Sequence, residues 1–109
     1  APAGSIDALL AAVAAGADAV YCGLGAFNAR ASAKDIDPAE FARAVRLAHA
    51  HGVRVYVTCN VYLREHELAP ALELAREAHA AGADAFIVAD AAQVRAIRHA
   101  VPDAEIHLS

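Results

Sequence analysis

The sequence predicts an α/β fold in which strands and helices alternate along the chain and the strands are parallel. The tetrapeptide Gly-Ala-Asp-Ala occurs at residues 16–19 and again at 82–85, each time between a helix-like stretch and an apolar strand. Gly52-Val53-Arg54-Val55 makes the same join between them. The three glycines, at 16, 52 and 82, lie 36 and 30 residues apart, about the length of one strand–helix unit. Because a helix and not a hairpin partner follows each strand, successive strands should be parallel.

The alternation of apolar and polar residues at 53–60 distinguishes between two folds built from strand–helix units, the doubly wound sheet and the closed barrel. Strands of a doubly wound sheet are apolar on both faces because helices cover both. Here apolar and polar residues alternate, so that Val53, Val55, Val57 and Cys59 point one way and Arg54, Tyr56, Thr58 and Asn60 point the other. The same pattern recurs at 105–109, with Ile106 and Leu108 set against Glu105, His107 and Ser109. A polar lumen inside a ring of helices predicts part of a TIM (β/α)8 barrel.

The predicted fold is therefore a partial TIM barrel, from the end of strand 1 through the start of strand 5, with parallel strands and helices on one face. A complete barrel takes about 250 residues, so residues 1–109 are expected to form one domain, the N-terminal half of the barrel. The chain contains no Met and opens on Ala1-Pro2, which predicts a piece of a longer protein. A half-barrel leaves strand edges open, so we expect self-association of this fragment.

The first helix, the second strand and a long connection account for the first third of the chain. Ser5 is a suitable N-cap for a helix whose inward face repeats at i, i+3, i+4 and i+7, through Ile6, Leu9, Leu10 and Val13. A strand follows at 19–24, and residues 25–36 then form a connection without periodicity. Such connections usually have about two to six residues. The extra length at this end of a strand predicts a functional loop.

Two capping boxes mark the starts of later helices. Asp37-Pro38-Ala39-Glu40 places Pro at the first helical position, and Asp90-Ala91-Ala92-Gln93 opens the last helix. The helix between them contains Pro70, which is tolerated only in or near the first turn. The remaining elements continue the alternation: a strand at 53–60, this third helix from 65–68 to about Ala81, a strand at 85–89 and a final strand at 105–109.

Composition narrows the classes of function. A net charge of −4 argues against a broad surface for nucleic-acid phosphates. No segment reaches the roughly 18 unbroken apolar residues of a membrane span, and no secretory signal pattern is present. Cys22 and Cys59 form neither a CxxC pair nor a disulfide framework, which indicates buried free thiols. We therefore expect a cytoplasmic location, no membrane contact, and no cofactor or metal held by these residues.

Two candidate substrate-binding residues lie in the long loop, at the strand ends where such folds collect their chemistry. The planar guanidinium of Arg30 suits a bidentate contact with a carboxylate or phosphate. The alternative is a surface Arg that pairs with Asp35 or Asp37. Asn28, in the same loop, is placed either to orient a substrate oxygen or to serve as an ordinary turn residue.

Later strand ends supply four more candidates. Thr58 and Asn60 end the third strand on the lumen face, where buried polar groups need the substrate or each other as partners. Asp90 suits either a plain N-cap or a catalytic carboxylate facing the pocket. His107 lies on the lumen face of the last strand as a candidate catalytic acid, base or ligand, with no partner evident in the sequence. No metal-binding His spacing, Ser-His-Asp pattern, phosphate loop or dinucleotide fingerprint is present.

Several runs resemble the collagenase-like peptidase family, the thirty-second family of unassigned catalytic type. In chain order they are 1–5, 15–21, 27–32, 56–60, 88–90 and 106–109. The run Phe27-Asn28-Ala29-Arg30-Ala31-Ser32 is the most specific, and it favours a functional role for Arg30. The resemblance implies collagen or peptide hydrolysis, prephenate-dependent hydroxylation of transfer or ribosomal RNA, or oxygen-independent hydroxylation in ubiquinone synthesis.

Among these implied activities we favour hydroxylation over proteolysis. The chain shows no nucleophile–base pair and no metal-protease spacing, whereas a polar lumen with Arg30 at its mouth suits a small carboxylate such as prephenate. The resemblance also implies an iron–sulfur cluster in the full-length protein, held by a cysteine-rich signature downstream of this chain, and RNA contacts through other regions. The alternatives are peptidase or collagenase activity, and a non-catalytic structural half-barrel that needs its C-terminal half.

Overall fold

Strands and helices alternate through the computed structural model, which describes residues 2–3, 6–23, 38–59 and 65–108. The strands are β1 (Pro2–Ala3), β2 (Ala19–Gly23), β3 (Arg54–Cys59), β4 (Ala85–Val88) and β5 (Ile106–Leu108). The helices are α1 (Ile6–Ala14), α2 (Pro38–Ala50), α3 (Glu65–Ala80) and α4 (Ala91–Ala100). The predicted order of elements is confirmed. The long loop with Asn28 and Arg30, and the strand-end residue Asn60, lie outside the described residues.

All five strands belong to one sheet in the order β1-β2-β3-β4-β5, and each neighbouring pair is parallel. The predicted parallel strands are thus confirmed. Consecutive helices contact one another, α1 with α2, α2 with α3 and α3 with α4. Because each helix connects two adjacent strands and contacts the next helix, the four helices line one side of the sheet.

The core lies between the helices and this side of the sheet. On β3, Val55, Val57 and Cys59 are buried, whereas Arg54 is exposed and Tyr56 and Thr58 are half-buried. The register carries this alternation across the sheet, so that side chains from β2, β4 and α2 join the same cluster, among them Val20, Cys22, Phe41, Val45, Phe86 and Val88. The two-residue alternation read from the sequence therefore separates a helix-covered face from a face without helices.

Three glycines end α1, α2 and α3 in the same way. Gly16, Gly52 and Gly82 have φ angles of 83°, 72° and 106°, a left-handed conformation that only glycine adopts cheaply. In each case the glycine N–H donates to the carbonyl three residues back, and the next N–H donates to the carbonyl five residues back. These two hydrogen bonds together define a Schellman motif. It explains why the glycines recur at the spacing of the strand–helix unit.

The third helix begins at Glu65, within the predicted range, so Pro70 is its sixth residue and lies close to the first turn, as expected. Proline has no N–H, and the helix accommodates it by forgoing one main-chain hydrogen bond near its start. Leu108, expected to face the helices with Ile106, is 64% exposed. The reason is that β5 pairs only with β4 and is therefore an edge strand of the described sheet.

A partly buried contact of Asp84 joins β3 and β4 at the amino-terminal end of the sheet. Oδ2 of Asp84 accepts a hydrogen bond from the Val55 N–H at 2.7 Å and lies 2.8 Å from Nε2 of His49. The Asp84 N–H donates to the Val55 carbonyl at 2.7 Å. Asp84 belongs to the second Gly-Ala-Asp-Ala repeat. In the first repeat the corresponding link is made by the main chain, where the Asp18 carbonyl accepts from the Arg54 N–H.

Candidate functional site

Polar and aromatic side chains concentrate on the face of the sheet that the described helices do not cover. We call this side the open face. Its side chains are Tyr21, Arg54, Tyr56, Thr58, Glu105 and His107. In folds built from serial strand–helix units, ligands bind at the carboxyl ends of the strands, so the carboxyl-terminal part of this face is the candidate site.

The strand register places these side chains in rows. Tyr21 of β2 pairs with Tyr56 of β3, which pairs with Ala85 of β4. One row nearer the carboxyl ends, Thr58 pairs with Ile87, and Ile87 pairs with His107. Paired residues on parallel strands share a face, so three strands contribute to one continuous surface.

The rings of Tyr21, Tyr56 and His107 contact one another in succession across this surface, with His107 one row nearer the carboxyl ends than the two tyrosines. The Tyr21 and Tyr56 ring centroids are 5.4 Å apart with their planes inclined by 35°. The Tyr56 and His107 centroids are 5.8 Å apart and inclined by 49°. Both geometries fall in the range of favourable tilted contacts between rings. Ala85 lies on the strand between Tyr56 and His107, and its small side chain, 1% exposed, leaves room for the two rings to meet.

His107 has a carboxylate partner on its own strand segment. Its Nε2 lies 3.1 Å from Oε2 of Glu105, two residues earlier in the chain. Both side chains remain about half exposed or more. Both groups therefore stay accessible to a ligand on the open face.

Arg54 supplies positive charge at the edge of the same surface. Its Nη1 donates a long hydrogen bond of 3.4 Å to the Tyr56 hydroxyl oxygen. That hydrogen bond, together with the electrostatic influence of Tyr56 and of the Asp84 and Glu105 carboxylates, raises the pKa of Arg54 above its usual value. Arg54 is thus a permanent cation beside the aromatic row.

The predicted site residues occupy different places. Thr58 and His107 lie on the open face in the same row, with Ile87 between them. Asp90 is the N-cap of α4, and its Oδ1 accepts from the Gln93 N–H at 2.8 Å. Gln93 accepts from the N–H of Ala89, the residue before the cap, and not from the Asp90 N–H, so the N-cap is confirmed while the second bond differs from the predicted capping box by one residue. Within the described residues the partner of His107 is Glu105 and not Asp90.

Both cysteines lie on the helix-covered face. Cys22 and Cys59 are free and buried, and burial raises their pKa values to about 11 and about 12. No group of three residues suited to holding a metal ion occurs in the part of the chain that the structure describes. None of the described helices has both the length and the apolar character needed to cross a membrane.

Sequence reasoning left four residues of this surface out of the candidate site. The position of Glu105 beside His107 could have been predicted from the sequence, because residues two apart on a strand share a face. Tyr56 and Arg54 were placed on the correct face without a role. Tyr21 gave no signal by itself, since its neighbour Tyr56 is 35 positions away and only the register brings the two rings together.

Comparison with known proteins assigns the chain to a family. The family model for Peptidase family U32 matches residues 4–109. The chain belongs to peptidase family U32. The family resemblance read from the sequence is thereby confirmed.

The relatives of this U32 chain carry names from two kinds of activity. An uncharacterized protease from Methanocaldococcus jannaschii is 38% identical over 89 residues, which cover 82% of this chain and 22% of the relative. A tRNA hydroxylation protein from Bacillus subtilis is 35% identical across 100% of this chain and 26% of its own length. A collagenase from Porphyromonas gingivalis is 32% identical, again over 100% and 26%. The chain spans about a quarter of the length of these relatives.

A solved structure agrees on the fold. A proposed deoxyribose-phosphate aldolase from Coccidioides immitis superposes on 93% of this U32 chain and 40% of its own, with a TM-score of 0.56. The sequence identity is 17%, so the similarity concerns the fold alone.

Proposed function

We propose that this U32 chain is the N-terminal part of a TIM barrel, from the end of strand 1 through the start of strand 5, in a protein that hydroxylates RNA or a quinone precursor with prephenate. The barrel is supported by strand order. Five parallel strands follow one another in chain order with the helices on one side, whereas a doubly wound sheet reverses its order and carries helices on both sides.

The observation that carries the choice of hydroxylation is the chemistry of the open face. It offers a hydrogen-bonded His107–Glu105 pair and Arg54, which suit proton transfer and anion binding. The cysteines, by contrast, face the helices and are held as thiols by burial, which argues against a Cys nucleophile there. The similarity to a tRNA hydroxylation protein over 100% of the chain supports the same choice.

Each predicted site residue has a role in this proposal. Arg30 and Asn28 bind the carboxylate of a prephenate-like substrate at the mouth of the barrel, and Thr58 and Asn60 contact it from the strand end. His107 and Asp90 are the candidate catalytic groups for proton transfer.

The iron–sulfur cluster implied by the family does not fit the described residues. Cys22 and Cys59 lie on the helix-covered face, and the described residues hold no set of three metal-binding side chains. We propose that any cluster ligands lie outside this chain, that RNA is bound through other regions, and that the protein acts in the cytoplasm.

The test uses the full-length protein in a prephenate-dependent RNA hydroxylation assay, with nucleosides analysed by mass spectrometry. Arg30→Ala should lower kcat/KM by about 30- to 1000-fold, because a charge-assisted contact to a desolvated carboxylate contributes roughly 2–4 kcal/mol. Arg30→Lys should recover only part of the loss, since lysine keeps the charge but not the planar fork. If both variants retain turnover and lose only thermal stability, Arg30 stabilises a loop.

Peptidase activity is the second candidate, favoured by the relatives that are named protease and collagenase. The same preparations should be tested on gelatin and on synthetic collagen-like peptides. Peptide cleavage that His107→Asn abolishes, without RNA hydroxylation, would replace the first proposal by the second. A full-length protein with neither activity on any substrate would support a purely structural role for this half-barrel.

A further inference from the structure

Glu105 has no role so far, although its carboxylate is the partner of the candidate catalytic histidine. We propose that Glu105 is a positioning residue that fixes which ring nitrogen of His107 carries the hydrogen. In this arrangement Nε2–H donates to Glu105, and Nδ1 keeps its lone pair for a hydroxyl or amine hydrogen of a substrate. That Nδ1 meets the substrate rests on the proposed function, whereas the state of the ring does not.

The geometry of the pair dictates this assignment. Nε2 of His107 and Oε2 of Glu105 are 3.1 Å apart. An ionised carboxylate only accepts hydrogen bonds, so the hydrogen of this contact must sit on Nε2. A neutral imidazole has one N–H, which leaves Nδ1 as the acceptor. Nδ1 has no hydrogen-bond partner within the described residues.

Neighbouring strands hold the ring in place. The Tyr56 ring lies 5.8 Å from the His107 ring, across the small Ala85 side chain. Tyr56 itself contacts the Tyr21 ring and accepts a hydrogen bond from Arg54. The His107 ring is therefore limited on one side by an aromatic row and tied at one nitrogen by Glu105, which restricts its rotation.

Arg54 completes the electrostatics of the arrangement. Its guanidinium lies close enough to interact with the Glu105 carboxylate. Arg54 and the hydrogen-bonded Glu105–His107 pair thus contribute charged and polar groups to one surface.

The state of the ring is directly measurable in the full-length protein labelled with ¹⁵N in its histidine rings. Long-range ¹H–¹⁵N correlation spectra at alkaline pH, where imidazole is neutral, distinguish a nitrogen that carries hydrogen from one with a lone pair. The His107 signals are assigned by their loss in His107→Asn. We expect a hydrogen-bearing Nε2 and a lone pair on Nδ1. The opposite pattern in the unmodified protein would overturn the proposal without any variant.

A charge-reversed variant supplies the second arm. The ammonium of Glu105→Lys only donates, so the lone pair should move to Nε2 and the pattern of the two nitrogens should invert. Glu73→Lys is the matched control, because Glu73 is an exposed carboxylate that pairs with Arg76 on α3, on the other side of the sheet. An unchanged His107 pattern in folded Glu105→Lys would show that another group sets the ring, and the proposal would fail.

Activity separates this inference from the proposed function. If the ring inverts and hydroxylation falls by up to about 10² to 10⁴-fold, both hold, since a general base in the wrong state loses its contribution. If the ring inverts while hydroxylation is unchanged, Glu105 positions His107 as proposed, but His107 is not the catalytic base. The spectroscopic result alone decides the inference.

Discussion

Replacing Asp84 by alanine should destabilise the sheet without changing the open face. Oδ2 of Asp84 accepts from the Val55 N–H at 2.7 Å and contacts His49 at 2.8 Å. Val55 is fully buried and its hydrogen bond to Asp84 is partly buried, so its N–H would lose its acceptor where water has limited access. An unsatisfied buried donor costs about 1–3 kcal/mol, whereas a partly exposed charge contact contributes no more than about 1 kcal/mol. We expect the free energy of unfolding to fall by about 1–3 kcal/mol, mostly through Val55.

The first Gly-Ala-Asp-Ala repeat provides the matched control. Asp18 is exposed, and its carboxylate makes no hydrogen bond within the described residues, so Asp18→Ala should leave stability within about 0.5 kcal/mol. Asp84→Asn keeps an oxygen for Val55 and should fall between the two. Urea denaturation followed by circular dichroism measures all three. Equal effects of Asp84→Ala and Asp18→Ala would refute the reasoning, because the Asp84 contact would then contribute nothing specific.

Three further predictions concern helix ends, thiols and assembly. Gly82→Ala should lower the melting temperature more than Gly16→Ala. Both substitutions place a side chain on a left-handed backbone at a cost of about 1–2 kcal/mol, but only at residue 82 does the new Cβ come close to another side chain, 3.1 Å from Val45. Equal decreases in melting temperature would contradict this prediction. Cys22 and Cys59 should resist iodoacetamide in the native state and react in urea. Burial raises the pKa values of the two thiols from an ordinary 9.0 to about 11 and about 12. Their contribution to the free energy of unfolding should therefore be complete below pH 9 and be lost as the pH rises towards 12. Fast reaction with iodoacetamide in the native state would show that the thiols are accessible. The isolated chain should self-associate through its open face and edge strands, and a monodisperse monomer in light scattering with a cooperative melt would disprove this.

Local sequence patterns were sufficient for the order of elements and for the two faces of the sheet. The glycines at 16, 52 and 82 mark helix ends because a left-handed residue is a local requirement, independent of what the helix contacts. Side chains alternate along β3 because the period of a strand is a property of its backbone. The N-cap at Asp90 could likewise be predicted from the sequence, since the hydrogen bonds around it join residues no more than four positions apart.

The contacts between side chains on different strands could not be predicted from the sequence. The ring contacts that link Tyr21, Tyr56 and His107 depend on a register that offsets β2 from β3 by 35 positions and on a small residue, Ala85, in β4. The link from Asp84 to Val55 and His49 likewise joins residues 29 and 35 positions apart. The sequence by itself determined which residues of β3 face the helices and which lie on the open face, because that choice is made by the strand itself. Only the tertiary structure decided which of them meet, because hydrogen bonds and ring contacts depend on distances that the pairing of separate strands creates.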